Sequence, residues 1–528
     1  MVASNKKAKI VPLAEILQSM PYANEKEKAL VKKAYAFAKE AHEGQKRYSG
    51  DPYFVHVAET GLALADMDMS AQVVAAGLLH DTVEDTDVTD EDIKREFGEE
   101  IAHMVDGVTK LGHVRYHGMQ RHAESLRKLF AATSQDVRVM IIKLMDRLHN
   151  VKTLQYVPEH KRQRIALETL EIYAPIADRL GMGIIKKELE DAAFPYAYPQ
   201  EYEKTYKIFK DLGGEDTKRL EKIHKSIKKK IAEYGIKDFR TSVRVKGLYS
   251  LYKKLQRKNN DPSKIKDIFA LRVILKDIPT CYTVLSIIHG EWTPLPGKLK
   301  DYIALPKMNG YRSIHTTIHT GDGGVLEVQI RTEEMHQEAQ YGVASHLTYK
   351  ETTVGGKHEK AGSGLAWITQ FFPNIFTGGK TDKNTCVVKK EEYQHKHYPK
   401  YSVPEWIRHL AEDTNCEDPE EFMSEIKSDF FAHRIFVFTP KGDVIDLPIG
   451  ATPIDFAFAI HTDIGRHISG AKVNGKMESL DKELLNGDIV EIFTSKNAKP
   501  NRKWLDYVKT SMAKKQIKNC IQKARQNT

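Results

Sequence analysis

The sequence is poor in cysteine and has no long hydrophobic run. Its 528 residues include four cysteines, which lie far apart and form no Cys-x-x-Cys pair. This spacing disfavours both a disulfide framework and a zinc ribbon, and it fits a reducing compartment. No stretch approaches the length of a membrane span, and the basic N-terminus lacks the apolar core of a signal peptide. We therefore expect a cytoplasmic protein that has no membrane partner.

The composition also lacks a strong excess of one charge. Lysine and arginine number 81 against 72 aspartates and glutamates, a net charge of +9. This charge is modest for the length and indicates anionic partners only where basic residues cluster. With 41% hydrophobic and 29% charged residues, the chain falls in the globular class. Its length exceeds one compact core and predicts three or four domains.

The spacing of apolar residues divides the chain. Residues 1–195 repeat them at helical intervals, residues 203–350 alternate short β-type runs with helices, and residues 433–495 are compact and rich in β-type runs. Residues 351–402 have few periodic apolar positions, which is typical of a flexible linker. We interpret the remaining two segments as a short helical connector and a basic helical tail: residues 403–432 and 496–528.

A histidine and three acidic residues follow an apolar run. The stretch "GLLHDTVEDTD" contains His80, Asp81, Glu84 and Asp85. On one continuous helix these four side chains would share a broad face. A solvent-exposed acidic face would explain the carboxylates, but not a histidine beside buried leucines.

Two further polar residues interrupt apolar helical patterns. His56 lies near the start of the helix predicted in "DPYFVHVAETGLALA", and Asp146 lies in "IIKLMDRLHN". Because an unpaired buried charge is costly, this pattern favours a divalent metal site over a plain core. His56, His80, Asp81 and Asp146 form a mixed N/O set that suits Mn²⁺, Fe²⁺ or Zn²⁺. Such an ion would activate water, and the two acids that follow the His-Asp pair would act on that water or on the leaving group.

A loop punctuated by proline and glycine concentrates positive charge. The stretch "KLKDYIALPKMNGYRSIHTT" contains Lys298, Lys300 and Lys307 but a single acid, Asp301. That imbalance suits polyphosphate. Taken by itself, a solvated lysine loop is the simpler interpretation.

The neighbouring strands favour a binding site over a plain loop. Asp267 precedes the strand predicted in "IFALRVIL", and Glu327 shares a face with Gln329 in "VLEVQIRT". Acids at two strand positions could bind Mg²⁺ through the phosphates of a substrate. The stretch "RVKGLYS" adds further polar candidates: Arg244, Lys246 and Ser250.

The first site resembles the HD phosphohydrolase superfamily, because its histidines and acids match the H…HD…D pattern. Through "HEGQKRYSGDPYFVH", "HDTVED" and "DRLHNVKTL", the similarity narrows to the hydrolase domain of the long RelA/SpoT family, which synthesises and hydrolyses (p)ppGpp. The resemblance implies Mn²⁺-dependent release of the 3′-pyrophosphate, assisted by Glu84 and Asp85. Tyr48 stands where the family commonly has a basic residue. The implied guanosine-binding residues are Arg47, Asn150 and Thr153.

The second site resembles the (p)ppGpp synthetase domain of the same family, and "EEMHQEAQYGVASH" also matches. The resemblance implies pyrophosphate transfer from ATP to the 3′-hydroxyl of GDP or GTP. Asp267 and Glu327 would carry Mg²⁺, and Glu327 would also activate the hydroxyl. Val243 stands where the family usually has a glycine. The implied substrate-binding residues, with Tyr311 stacking on guanine, are Arg244, Lys246, Ser250, Lys298, Lys300, Lys307, Asn309, Tyr311, His315 and Gln329.

Residues 433–495 resemble a TGS domain, a small β-grasp module. In the family this domain senses translation, so the resemblance implies the ribosome and deacylated tRNA as partners, with His461 at the tRNA 3′ end. The further C-terminal domains of the family have no counterpart in the sequence. We therefore expect that regulation through them is absent or that the chain is truncated after TGS.

The predicted fold class is multidomain. It joins an all-α HD-type hydrolase domain, a mixed α/β nucleotidyltransferase-like synthetase domain and a β-grasp TGS domain. The predicted function is bifunctional (p)ppGpp synthesis and hydrolysis. Two alternatives remain open: an efficient hydrolase with a weak synthetase, which Val243 motivates, and a tRNA- or ribosome-binding regulator acting through TGS. We further predict that the connection at 176–202 transmits a switch, so that occupancy of one active site disfavours the other.

Overall fold

The computed structural model describes residues 9–112, 136–262, 265, 268–307, 309–321, 324–345, 434–440, 444–485, 487–495 and 497–526. The described residues up to 345 belong to one compact unit, and those from 434 onward belong to a second. The predicted linker and connector, residues 351–402 and 403–432, lie outside the described residues. Within the described parts of the chain, no helix is long and apolar enough to cross a membrane.

Helices form the first part of the first unit. The Asn24 side chain accepts hydrogen bonds from the backbone amides of Lys26 and Glu27 at the start of one helix, and Thr89 caps another. Such caps satisfy amide groups that the start of a helix leaves unpaired. The helices are α1 (Leu13–Gln18), α2 (Glu25–Ala41), α3 (Phe54–Ala65), α4 (Ala71–Leu79), α5 (Thr82–Asp85), α6 (Asp90–Phe97), α7 (Glu99–Gly112), α8 (Val137–Lys152), α9 (Glu159–Glu168), α10 (Ala174–Arg179), α11 (Gly183–Ala197) and α12 (Pro199–Glu233).

Two glycines allow α3 and α4 to pack closely. A Cβ atom at Gly77 would lie 2.2 Å from Leu64 Cδ1, and one at Gly61 would lie 2.6 Å from Leu78 Cδ2. Side chains at these positions would therefore force the two helices apart. Their close contact brings His56, on α3, near the end of α4, where the first candidate site lies.

The helix predicted through "SAQVVAAGLLHDTVED" is interrupted. α4 ends at Leu79 and α5 begins at Thr82, so His80 and Asp81 form the junction between them. Asp81 has φ −99° and ψ −2°, which departs from regular α-helical geometry. The prediction of one continuous helical face is wrong because the backbone turns at this junction.

A mixed sheet completes the first unit. Its five strands lie in the order β1-β2-β5-β4-β3, with β2 and β5 parallel and the other neighbours antiparallel. The elements are β1 (Phe239–Val245), α13 (Leu248–Arg257), β2 (Phe269–Leu275), α14 (Ile278–Glu291), β3 (Lys300–Asp301), β4 (Ile314–His319), β5 (Val325–Thr332) and α15 (Glu333–Tyr341).

The two faces of this sheet differ in polarity. Leu271 pairs with Val328 and Ile314 with Ile330, and these side chains join one buried cluster with residues of α12 and α14. The shared face predicted for Glu327 and Gln329 is confirmed. The opposite face carries Arg240, Ser242, Arg244, Arg272, His315, Thr317, Glu327, Gln329 and Arg331. It is called the nucleotide face below, after the binding site predicted for it from the sequence.

The second unit is a small module of strands and helices. One sheet has the order β10-β8-β9, and β6 pairs with β7. The predicted fold class, with an all-α part, a mixed α/β part and a small β-rich part, is confirmed. The elements are β6 (Arg434–Phe438), β7 (Val444–Pro448), α16 (Pro453–Ile460), α17 (Thr462–Arg466), β8 (Ile468–Val473), β9 (Lys476–Glu478), β10 (Val490–Thr494), α18 (Trp504–Tyr507) and α19 (Ser511–Gln526).

Candidate functional site

Two histidines and two aspartates meet between α3, the α4–α5 junction and α8. His56 Nε2 lies 3.3 Å from Asp81 Oδ2 and 3.3 Å from Asp146 Oδ1, and His80 Nε2 lies 3.1 Å from Asp81 Oδ2. All four residues are buried. Ligand atoms of His56, His80 and Asp146 lie within 4.8 Å of one another. The structure therefore brings together the four residues predicted to hold a metal ion.

The electrostatics of this His/Asp centre favour a cation. His80 Nε2 is buried and makes no hydrogen bond to the described residues, although Asp81 lies beside it. Burial lowers the pKa of His80, but the Asp81 and Asp146 carboxylates outweigh burial and raise that pKa to about 9. Burial raises the pKa of Asp146, but Lys143 and the histidines outweigh it and hold the pKa well below its ordinary value. Two ionised carboxylates beside two imidazole nitrogens fit a divalent ion.

A second layer of side chains orients these residues. His149 Nδ1 lies 2.8 Å from His56 Nδ1 and 3.1 Å from Arg47 Nη1. Burial, followed by the charges of His56 and Arg47, lowers the pKa of His149 to about 3, so His149 is neutral and accepts at Nδ1. Asn150 donates to Asp146 and accepts from Arg47. The predicted guanosine-binding residues Arg47 and Asn150 are thus joined directly to the His/Asp centre.

The last two acids of the "HDTVED" stretch lie at the exposed side of the centre. Glu84 and Asp85 are exposed on α5. The Tyr53 hydroxyl lies 2.6 Å from Asp85 Oδ2 and 2.8 Å from Asp81 Oδ2. Tyr53 also stacks on His42, with ring centroids 4.9 Å apart. Asp85 is therefore tied to a residue of the buried centre through one tyrosine.

Tyr48, the residue of the first site that departs from the family pattern, is exposed and follows Arg47 in the sequence. Tyr48 is 66% exposed, and Lys161 Nζ lies 5.9 Å from its ring centroid. A cation thus approaches this aromatic face from α9. Thr153 is the C-cap residue that follows α8, and its hydroxyl donates to the His149 and Asn150 carbonyl groups.

Glu327 is the central carboxylate of the nucleotide face. It accepts a hydrogen bond from Gln329 Nε2 at 2.7 Å and lies 3.2 Å from His315 Nδ1. Burial raises the pKa of Glu327, but these two partners outweigh burial and lower that pKa to about 2. His315 in turn contacts the Tyr311 hydroxyl at 2.7 Å. The Glu327 carboxylate, the His315 imidazole and the Tyr311 hydroxyl therefore form one connected group.

Positive charges crowd around this group. Arg331 is 1% exposed, and no hydrogen-bond acceptor among the described residues reaches its Nε. Burial and the charges of Arg331 and Arg244 lower the pKa of Arg272 to about 10. Burial also lowers the pKa of Lys307, whose amine lies 5.1 Å from the Tyr311 ring centroid. Because these cations repel one another, the face is suited to a polyanion.

Several predicted substrate residues lie around the edge of the face. Lys300 pairs with His315 across β3 and β4, and Lys298 is exposed just before β3. Lys246 follows β1, and its backbone amide bonds to the Ile268 carbonyl at 3.0 Å. The predicted acid Asp267 lies outside the described residues.

Two other predicted residues face the helical part of the unit. Asn309 Nδ2 donates to the Asp178 carbonyl at 3.0 Å, and Ser250 Oγ donates to Glu190 Oε2 at 3.1 Å. Both acceptors belong to the segment between the two candidate sites. The helical part thus contacts the border of the nucleotide face directly.

His461 lies in the second unit, between α16 and α17. Its side chain is 65% exposed, and its Nδ1 accepts from the Asp463 amide at 3.2 Å. The residue is therefore accessible at the start of a short helix.

Sequence reasoning missed several members of both sites. Lys143 and His149 lie three residues on either side of Asp146, a spacing that puts them on one helical face and could have revealed them. Arg272 and Arg331 alternate with buried residues in their strands, which was a similar signal. No sequence pattern near Tyr53 indicates its contact with Asp85, because the two residues are 32 positions apart.

Comparison with known families assigns the three parts of the chain. Residues 34–183 match the HD domain, residues 243–354 match the region found in RelA / SpoT proteins, and residues 435–494 match the TGS domain. The chain therefore joins an HD domain, which holds the His/Asp centre, to a RelA/SpoT region and a TGS domain.

Curated relatives match nearly the whole chain. A guanosine-3′,5′-bis(diphosphate) 3′-pyrophosphohydrolase of Aquifex aeolicus is 44% identical over 93% of this chain and 64% of its own length. A GTP pyrophosphokinase of Myxococcus xanthus is 42% identical over 93% and 60%, and the bifunctional (p)ppGpp synthase/hydrolase SpoT of Escherichia coli is 40% identical over 93% and 64%. The chain is thus similar to these relatives over nearly all of its own length, and it spans less than two thirds of theirs.

Proposed function

We propose that the first unit carries two opposing activities. One transfers pyrophosphate from ATP to the 3′-hydroxyl of GDP or GTP with Mg²⁺, and the other hydrolyses the 3′-pyrophosphate of (p)ppGpp with Mn²⁺. The observation that carries the proposal is the occurrence of a buried His/Asp centre and a cationic nucleotide face in one unit. The names of the relatives, a pyrophosphohydrolase, a pyrophosphokinase and a bifunctional synthase/hydrolase, support it.

The hydrolase reaction is assigned to the His/Asp centre. A divalent ion supplies Lewis-acid activation of water and of a phosphoryl oxygen. Glu84 and Asp85 lie on the exposed side, from which they can move protons between water and the leaving pyrophosphate. Arg47, Asn150 and Thr153 bind the guanosine. The proposed Mn²⁺ ligands are His56, His80, Asp81 and Asp146.

The synthetase reaction is assigned to the nucleotide face. The 3′-oxygen of GDP or GTP forms a bond to the β-phosphorus of ATP, the α–β bond breaks, and AMP leaves. Glu327 is ionised at neutral pH and can accept the proton of the hydroxyl, and with Asp267 it is proposed to hold Mg²⁺. Tyr311 offers a ring to guanine. Surrounding cations neutralise the phosphates, which is most of what such a transfer requires. The proposed phosphate-facing cations are Arg244, Lys246, Lys298, Lys300 and Lys307.

The second unit is proposed to contact translation partners. The match to a TGS domain and the exposure of His461 support contact with the 3′ end of deacylated tRNA, on or off the ribosome. A regulator without enzyme activity would need only this unit. The His/Asp centre and the nucleotide face of the first unit favour an enzyme.

Two assays of the purified chain test these proposals. ATP with GDP or GTP and Mg²⁺ should yield equal amounts of AMP and the 3′-pyrophosphorylated product, separated by anion-exchange chromatography. Guanosine tetraphosphate with Mn²⁺ should yield GDP and pyrophosphate, and EDTA should stop both reactions. Absence of both reactions overturns the enzyme proposal. Synthesis rates that do not respond to deacylated tRNA and ribosomes overturn the tRNA proposal.

A further inference from the structure

The start of α13 is held by a carboxylate from a distant helix. Asp191, on α11, accepts a hydrogen bond at Oδ1 from the Tyr249 backbone amide, 3.3 Å away. Tyr249 is the second residue of α13, and the residue at the N-cap position, Gly247, has no side chain to offer. A capping side chain normally bonds to an amide at this point of a helix. Asp191 therefore caps the N-terminus of α13, although it lies 58 positions away in the sequence.

Gly247 makes this contact possible. A Cβ atom at Gly247 would lie 2.8 Å from Asp191 Oδ1 and 2.9 Å from Oδ2. Any side chain at residue 247 would push the carboxylate away from the helix start. Burial raises the pKa of Asp191, and the amides of Tyr249 and Leu248 oppose that shift.

The preceding residue of α11 contacts the next turn of α13. Glu190 is 4% exposed and accepts a hydrogen bond from Ser250 Oγ at 3.1 Å. Its other oxygen lies 3.6 Å from Lys253 Nζ. Two adjacent residues of one helix thus bind the backbone and the side chains of the first turns of α13.

These contacts lie beside the proposed ATP site. The strand β1 ends two residues before Gly247 and carries Arg244, while Lys246 directly precedes that glycine. The position of the first turn of α13 therefore fixes the end of β1 and the direction of Ser250.

We propose that Glu190 and Asp191 are positioning residues for pyrophosphate transfer, acting through the start of α13 on the residues that bind ATP. The inference rests on the proposed synthetase function and extends it to two residues outside the RelA/SpoT region. Neither residue is proposed to touch the reacting atoms. Their loss should weaken ATP binding more than it slows the chemical step.

Two substitutions of Asp191 separate capping from a general structural role. Asp191→Ala removes the acceptor, and a cap of this kind is worth about fivefold in an equilibrium constant. We expect the KM for ATP to rise about fivefold, with kcat and (p)ppGpp hydrolysis within about twofold of wild type. Asp191→Asn keeps an acceptor oxygen and should restore most of the ATP affinity. Glu188→Gln, on the exposed side of the same helix, is the matched control.

The outcomes distinguish failure of the inference from failure of the proposed function. An unchanged KM for ATP in Asp191→Ala overturns the inference. So does an equal loss of synthesis and hydrolysis with a lowered melting temperature in both Asp191 variants, because that pattern reports a structural role. If the wild-type chain makes no product, the synthetase proposal fails. Calorimetric binding of a non-hydrolysable ATP analogue then decides the inference: about fivefold weaker binding by Asp191→Ala supports it, and equal binding overturns it.

Discussion

The His/Asp centre and the nucleotide face have opposite electrostatic character. In the centre, two buried carboxylates lie among imidazoles and the Lys143 ammonium, which is 2.6 Å from Asp146 Oδ2. On the nucleotide face, several cations surround a single described carboxylate, Glu327, and burial and mutual repulsion lower the pKa of Arg272. One site is complementary to a cation and the other to a polyanion.

The difference also appears in how each site is built. The centre draws on three helical elements, of which α3 and α4 pack closely because of Gly61 and Gly77. Its residues His56 and Asp146 contact a second layer of side chains. The face draws on alternate positions of a sheet, so its residues are ordered by strand register. Consequently, a substitution at one site should leave the geometry of the other unchanged, whereas the predicted coupling through residues 176–202 concerns ligand occupancy.

Neutralising one carboxylate in each site should have the largest effect, and it tests whether the two sites act independently. We expect Asp81→Asn to reduce hydrolysis at least about 100-fold with little effect on synthesis, because the centre loses a charge that favours the metal ion. We expect Glu327→Gln to reduce synthesis at least about 100-fold with little effect on hydrolysis. Both rates are measured by nucleotide chromatography on the same preparations.

Each of these variants serves as the folding control for the other. A variant that loses both activities, while its melting temperature is unchanged, would contradict the independence of the two sites. That result would instead favour coupling through the connection at residues 176–202.

The second layer of the centre should have a smaller effect. His149→Ala removes the group that contacts both His56 and Arg47, and such partners of metal-binding histidines are typically worth about 10- to 100-fold in metal affinity. We expect Mn²⁺ binding, measured by calorimetry, to weaken at least about tenfold. Lys152→Gln, on the exposed side of α8, is the control. Unchanged Mn²⁺ affinity would show that His149 does not support the metal-binding residues and acts only on Arg47, a proposed guanosine-binding residue.

The sequence predicts the nucleotide face better than the His/Asp centre. In β4 and β5, side chains alternate with a period of two, so the shared face of Glu327 and Gln329 follows from local pattern. The break at His80 and Asp81 does not, since the apolar spacing continues through it and no glycine or proline marks it. The local pattern identifies the residue types of the centre but not the turn that aims them.

Contacts between distant residues are the part that local patterns miss. Arg47 meets His149 across 102 positions, and Asp191 meets Tyr249 across 58. These pairs depend on how helices and strands pack, and no spacing rule within a single helix or strand relates their members. The roles of Tyr53, His149 and Asp191 therefore become visible only in the folded chain.

The smallest expected effect concerns Val243, the residue that motivates the weak-synthetase alternative. Val243 pairs with Leu271 on edge strand β1, so its side chain lies on the opposite face of the sheet from Arg244, and it is 41% exposed. Its φ is not positive, so the backbone does not require glycine. We expect Val243→Gly to change the KM for ATP less than about twofold, and to lower the free energy of unfolding by about 0.5–1 kcal/mol because glycine weakens a strand.

The effect of Val243→Gly on the KM for ATP is best compared with that of Asp191→Ala. Val243 directly precedes Arg244 in β1, and Asp191 contacts the start of α13, the helix that follows β1. Because of that contact, only Asp191 is expected to control ATP affinity. A Val243→Gly variant that synthesises product much faster than wild type, at an unchanged rate of hydrolysis, would contradict this reasoning and favour the weak-synthetase alternative. Equal synthesis rates in Val243→Gly and wild type would mean that the valine side chain stabilises the strand. They would also mean that it does not affect the nucleotide face on the other side of the sheet.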